Sequence, residues 1–251
     1  DRPHDLAGAL AILKTKGAVA LAGGTNLIVD LRAGRERPER VVSLDKLEAL
    51  RGIREAGGKI TIGGRTTVTD LLRSPVIAET APALVSAAKQ FAGQMVRNTA
   101  TVAGNIACGS PAADLVPPLV ALDAELTLVS ARGRRTVPIA SFFTGYKKDV
   151  RRRGELISRI SWKAPPRHSC SLFYKLARRK GDAITVVGIA VALAVDRGRC
   201  TRARVALGAV APTVFRAREA EAILEGQTPT PALIEAAAKA AAAAARPIDD
   251  I

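Results

Sequence analysis

Apolar positions recur along this chain with two different periods, and the places where the period changes divide it. Residues 5–15, DLAGALAILKT, repeat apolar positions at helical spacing, with Asp5 placed to cap the first turn and Gly17 to end the segment. AVALAGG at 18–24 predicts a short buried strand running into a loop, AGGTNL at 22–27. Residues 29–40 have no period and carry Arg32, Arg35, Arg37 and Arg40, so an irregular basic stretch is expected before the strand VVSL at 41–44. Past Leu50 a hairpin turns on Gly57-Gly58, Thr67 starts a helix that Pro75 closes, and a second helix covers 82–90. A polar, small-residue loop, TVAGNIACGSPAAD at 101–114, follows, and Asp114 opens a helical segment, LVPPLVALDA. ELTLVSA predicts a strand, Arg132-Gly133-Arg134-Arg135 a turn, and ELISRISW at 155–162 an alternating strand. Pro165-Pro166 marks a boundary. Beyond it the pattern predicts three strands of an antiparallel sheet with a hairpin at 196–199, then a helix at 218–225 ended by Gly226. A last helix begins at Thr230-Pro231 and runs to Arg246.

Three units are therefore expected, at 1–50, 51–165 and 168–251, in keeping with a length of 251 residues. The longest apolar run, residues 183–195, falls short of the roughly 20 residues of a spanning helix and reads as a buried strand. The N-terminus, DRPHDLAGAL, has no basic-then-apolar targeting segment. No membrane span is expected. The net charge of +15 admits an anionic partner, but the basic residues are scattered and aromatics are only 3%, without the ladder a single-strand binder needs. Nucleic-acid binding is not expected. A basic, non-enzymatic binding protein remains the more distant alternative. Cys108, Cys170 and Cys200 show no C-x-x-C spacing, so no zinc or iron–sulfur site is expected, and unpatterned thiols fit a reducing cytoplasm. His4 and His168 lie outside the glycine-rich loops and read as surface residues.

The candidate chemistry lies in the two loops. Both combine Gly with Thr and Asn, which lets backbone N–H groups approach an anion with nothing bulky in the way. Two such loops far apart in sequence, neither with a Lys among its Gly, Thr and Asn donors, suggest a pyrophosphate held from two sides. Cys108 reads as a small filler, since no His or Asp stands near it in sequence.

AGGTNL at 22–27, FAGQMVRNTATVAGN at 91–105, SPAADLVPPLVALDA at 110–124 and YKLARRKGDAITVVG at 174–188 together resemble the FAD subunits of the molybdenum hydroxylases, the family of aerobic carbon monoxide dehydrogenases and xanthine dehydrogenases. The likeness covers nearly the whole chain, with the motifs in the family's order. It implies an α+β fold: a two-lobed FAD-binding domain of the vanillyl-alcohol oxidase (PCMH) type, then a C-terminal α/β domain with a three-stranded antiparallel sheet packed on helices. By motif, Leu21, Ala22, Gly23, Gly24, Thr25, Asn26 and Leu27 form the first FAD segment. Ala100, Thr101, Val102, Ala103, Gly104 and Asn105 form the second, with Cys108 beyond it. Phe91 and Ala92 fall beside the isoalloxazine, and Asp114 anchors the ribose or another part of the dinucleotide. Leu156, Ile157 and Lys175 approach the flavin from the other side. Ala103 stands where the family has a first Gly, a mild departure if its φ is negative. The chain also ends at Ile251, before the helix that closes the family's C-terminal domain.

The function implied is electron transfer from 2Fe-2S clusters on a small subunit, through FAD, to an external acceptor such as NAD, a quinone or oxygen. The substrate is hydroxylated on a large molybdopterin-binding subunit, and the three chains form a heterotrimer able to dimerise. No residue here is expected to act as acid or base. A self-sufficient FAD-dependent oxidoreductase of the same fold is the nearer alternative.

Overall fold

The computed structural model describes residues 1–179, 181 and 183–249. Lys180 and Asp182 of the 174–188 motif, with Asp250 and Ile251, lie outside the described residues. Helix α1 (Leu6–Leu13) forms where the apolar period predicts it, and Asp5 accepts from the Gly8 N–H at 2.7 Å. Strands β1 (Ala18–Leu21) and β2 (Arg40–Ser43) pair in parallel around a short helix, α2 (Leu27–Arg32). The stretch expected to be irregular thus begins as a helix. Asp30 near its start and Arg32 at its end match the helix dipole. Strand β1 is half-buried rather than buried. Leu10, Leu13, Val42, Leu44 and Leu47 give this lobe a small core of its own.

The second unit opens with the expected hairpin, β3 (Ile53–Ala56) and β4 (Lys59–Gly63), over Gly57 and Gly58, both at positive φ. Helices α3 (Val68–Arg73), α4 (Pro75–Thr80) and α5 (Pro82–Gln90) follow. Thr67 and Asp70 cap α3 reciprocally, at 3.1 and 2.9 Å. Pro75 does more than close α3; it opens α4 as the first residue, where its missing N–H is not needed. Next come α6 (Gln94–Thr99), α7 (Val102–Ala107) and the wholly buried α8 (Val116–Ala121). Helix α7 lies where a loop was expected. Thr101 Oγ1 accepts from the Gly104 N–H at 3.0 Å and starts that turn.

Strands β5 (Glu125–Ser130) and β6 (Gly133–Pro138), a small hairpin of β7 (Phe143–Gly145) and β8 (Lys148–Asp149), and β9 (Leu156–Lys163) complete the unit. Gly133 pairs with Ser130, so the turn expected at 132–135 is tighter and most of it is strand. The five-stranded sheet runs β3-β4-β9-β5-β6, with every neighbour antiparallel. Ile60, Ile62, Leu126 and Ile160 of the sheet pack with Leu71, Leu84, Ile106 and Leu119 of the helices. Each such side chain contributes roughly 1.5–3 kcal/mol when fully buried, so this layer outweighs any surface ion pair.

The C-terminal unit is an antiparallel sheet of β10 (Ser169–Ala177), β11 (Thr185–Asp196), β12 (Arg199–Gly208) and β13 (Phe215–Arg216), in that order. It gains a fourth, two-residue strand beyond the three expected. Helices α9 (Arg218–Leu224) and α10 (Pro231–Ala243) cover one face around Ala203, Val205 and Leu207. The other face, with Phe173, Ala190 and Ala206, joins the main core. Helix α10 ends before Arg246, whose N–H instead donates to the Val210 carbonyl at 2.8 Å. Among the described residues no helix is long and apolar enough to cross a membrane.

Candidate functional site

The two glycine-bearing segments, distant in sequence, touch. A Cβ on Gly23 would lie 1.9 Å from the Thr99 carbonyl oxygen and 2.6 Å from its carbon. Only glycine lets the first segment rest on the backbone of the second. Gly24 follows at φ +72°, a conformation that turns the chain sharply into α2. Thr25 and Asn26 are exposed at this turn. Among the described residues, the N–H groups of residues 23–27 find no acceptor within the chain, so five donors line one bend.

The second segment differs from expectation. Most of its amides are already engaged: Val102 donates to the Thr66 carbonyl (3.0 Å), Ala103 to Gly64 (3.3 Å) and Asn105 to Thr101 (2.9 Å). The Gly104 amide donates to Thr101 Oγ1. Folding of α7 beside residues 64–66, just past β4, therefore consumes most of the backbone donors expected there for a phosphate. What this segment leaves open is the Thr101 N–H, without an acceptor among the described residues, the exposed Gly104 and the half-buried Asn105, whose Oδ1 accepts from the Leu115 N–H at 3.3 Å. Ala103 lies inside α7, where φ is negative, so its methyl needs no special backbone. It packs against Gly64 instead. A Cβ on Gly64 would stand 3.3 Å from the Ala103 Cβ and 2.3 Å from the Ile157 carbonyl oxygen. Sequence reading missed Gly64; the Gly63-Gly64 pair after a strand was its signal. Cys108 is half-buried, and burial pushes its thiol up, against a lowering by the Ser110 N–H, which fits a filler rather than a nucleophile.

Phe91 ends α5, half-buried against the main core, and Ala92 follows at φ +35°. Asp114 is buried with both carboxylate oxygens occupied. Lys175 Nζ donates to one at 2.8 Å and Thr185 Oγ1 to the other at 2.5 Å. Lys175 Nζ also reaches the Gln90 carbonyl at 3.3 Å, so one ammonium ties α5, the α7–α8 connection and β10 together. Burial pushes the Asp114 carboxyl above its ordinary range, with the Lys175 and Thr185 hydrogen bonds pulling the other way. Thr185 was not singled out from the sequence, although it stands in the quoted 174–188 motif. Leu156 packs into the core of the first lobe and Ile157 into that of the second, so their side chains join the two lobes.

The model of the FAD-binding domain in molybdopterin dehydrogenase matches residues 1–162. The chain belongs to this family of FAD-binding domains. The model of the carbon monoxide dehydrogenase flavoprotein C-terminal domain matches residues 172–251. The carbon monoxide dehydrogenase medium chain of Hydrogenophaga pseudoflava is 34% identical, over 99% of this chain and 87% of that one. The xanthine dehydrogenase FAD-binding subunit of Escherichia coli O157:H7 is 36% identical, over 88% of this chain and 76% of its own length. A solved structure of the Hydrogenophaga pseudoflava carbon monoxide dehydrogenase superposes with a TM-score of 0.95 at 35% identity, covering 99% of this chain and 87% of that one. The FAD assignment fits the geometry: a cradle floored by Gly23, closed to any Cβ, beside a row of unengaged amides.

Proposed function

We propose that this chain is the FAD-bearing electron-transfer subunit of a molybdenum-containing hydroxylase, built on a two-lobed PCMH-type domain (residues 1–50 and 51–165) with a C-terminal domain at 168–251. When bound, the flavin supplies one- and two-electron carriage between 2Fe-2S clusters of a small partner subunit and an external acceptor such as NAD, a quinone or oxygen. Substrate hydroxylation belongs to a large molybdopterin-binding subunit of the same cytoplasmic assembly. The observation that carries the reading is the contact of Gly23 with the Thr99–Ala100 backbone, which joins the two segments in one cradle.

Within that cradle the amides of residues 23–27 donate to the diphosphate, and Thr25 and Asn26 add short side-chain donors. Gly104 and Asn105 bound it on the α7 side, where a Cβ at 104 would meet the Thr101 hydroxyl at 2.8 Å. The Phe91–Ala92 corner flanks the isoalloxazine. Lys175 and Asp114 hold the C-terminal sheet against the site and keep water from that edge. The chain's work is binding, orientation and tuning of the flavin. Titration of purified protein with FAD tests this: one tightly held FAD per chain is expected, with visible flavin absorption. A colourless protein that takes up no FAD refutes the reading.

A further inference from the structure

We propose that Arg97 is a positioning residue for the flavin, a clamp that holds the Phe91–Ala92 corner in its left-handed conformation before the cofactor arrives. The inference deepens the FAD reading above and rests on it. The corner joins α5 to α6 and is strained: Ala92 sits at φ +35°, where a Cβ crowds the backbone and glycine is the residue at ease. Such strain persists only when something nearby enforces it.

Arg97 is placed to do so. It lies one turn into α6, its own N–H bonded to the Gly93 carbonyl at 3.0 Å. From there Nη1 reaches back to both carbonyls of the corner, Phe91 at 2.7 Å and Ala92 at 2.5 Å. Nη2 donates to Gln94 Oε1 at 3.3 Å. Every guanidinium hydrogen bond among the described residues thus stays within residues 91–94. The Nε is buried without an acceptor there, a penalty that a side chain free to choose its partners would avoid. Two successive carbonyls converge on one nitrogen only while the Ala92 peptide keeps its unusual φ. The guanidinium and the strain therefore require each other. Phe91, held by core packing on one side and by this clamp at its carbonyl, presents its ring in a set direction.

Pre-organisation of this kind appears as affinity. If the corner relaxes in the unbound protein, the binding-competent fraction falls and the apparent Kd rises in proportion. Wild type, Arg97→Met, Ala92→Gly and the double variant are titrated with FAD, and the visible spectrum of the bound flavin and hydrogen exchange at residues 91–93 of the unbound protein are read in each. Arg97→Met is expected to weaken FAD about ten-fold, to shift the flavin spectrum and to speed exchange at the corner. Adding Ala92→Gly recovers most of that loss, because glycine holds positive φ without help. Should Arg97→Met not be recovered folded, Arg97→Lys keeps the charge without the planar fork and is expected to weaken FAD by about several-fold. Wild-type affinity and spectrum in both Arg97 variants, or an equal loss with and without Ala92→Gly, overturns the clamp and leaves the FAD reading standing. Failure of wild type itself to bind FAD overturns both.

Discussion

Where residues 22–26 meet residues 99–101, backbone lies on backbone, whereas the C-terminal sheet meets the rest of the chain through apolar packing around Phe173, Ala190 and Ala206 and a seam of charged side chains. At the first joint the Gly23 Cα leaves no room even for a methyl group. At the second, Asp123 accepts from Arg202 and Arg204 at 2.8 Å and from Arg216 at 2.7 Å. Arg204 continues to Glu225 and Arg216 to Glu221. Deeper in the same joint lies the Asp114–Lys175 pair. The difference follows from what each joint faces. A diphosphate is bound by amides, so side chains must stay out of the way. A docked domain only has to be held, and apolar packing with exchangeable ion pairs along its rim does that.

Substitutions can break or sharpen this contrast. The largest effect is expected at the buried member of the charged joint. Asp114→Ala leaves Lys175 charged and 5% exposed, and thermal unfolding should show a loss of about 3–5 kcal/mol. Adding Lys175→Met should restore much of it; no restoration would mean that the pair's cost is not the unpaired charge. Gly23→Ala comes next. Its methyl meets a backbone oxygen that cannot swing aside, so we expect about 2–3 kcal/mol of destabilisation and loss of FAD binding. A Gly23→Ala variant that binds FAD like wild type would remove the close contact from the cradle.

A smaller effect is expected in acid. Burial raises the Asp123 carboxyl, but the bonds from Arg204 and Arg202 and the charge of Arg216 outweigh it and hold it below its ordinary range. Glu225 is likewise lowered, first by the Ala203 N–H and then by Arg204. A lowered folded pKa gives stability that is present above the unfolded value and lost as pH falls through the folded one. The C-terminal joint should therefore loosen below about pH 4, and high salt should mimic this in part. A melting profile flat across that window would argue against the ionic seam. The smallest effect is expected at Glu235–Lys239 on α10, where both side chains are exposed: Glu235→Ala should change stability by less than about 0.5 kcal/mol.

Much of the architecture was legible from residues alone. The Asp5 cap, the Gly57-Gly58 hairpin, the Thr67 helix start and the 196–199 hairpin all depend on neighbours within a few positions, and each formed as read. The misreadings share a cause. Residues 101–107 have the small, glycine-containing composition of a loop, yet Thr66 and Gly64 offer carbonyls just past β4, and α7 forms against them. Residues 29–40 carry four Arg and lack a clear period, yet their first four residues complete a helix, 27–32, that links two parallel strands. Nothing local announced, either, that Lys175 would pair with Asp114 under burial.

The sequence by itself determined that two glycine, threonine and asparagine segments exist, which family they belong with, and where most helices and strands begin. Those features rest on side-chain period, turn chemistry and capping, all of them local. Only the tertiary structure decided which amides are left to bind a ligand. An N–H is available only when no carbonyl lies within its reach, and the carbonyls that claim the 102 and 103 amides come from residues 66 and 64, just past β4 and far earlier in the chain. The same holds for Gly23: its lack of a side chain is plain in the sequence, but the Thr99 oxygen that makes the lack indispensable arrives through folding.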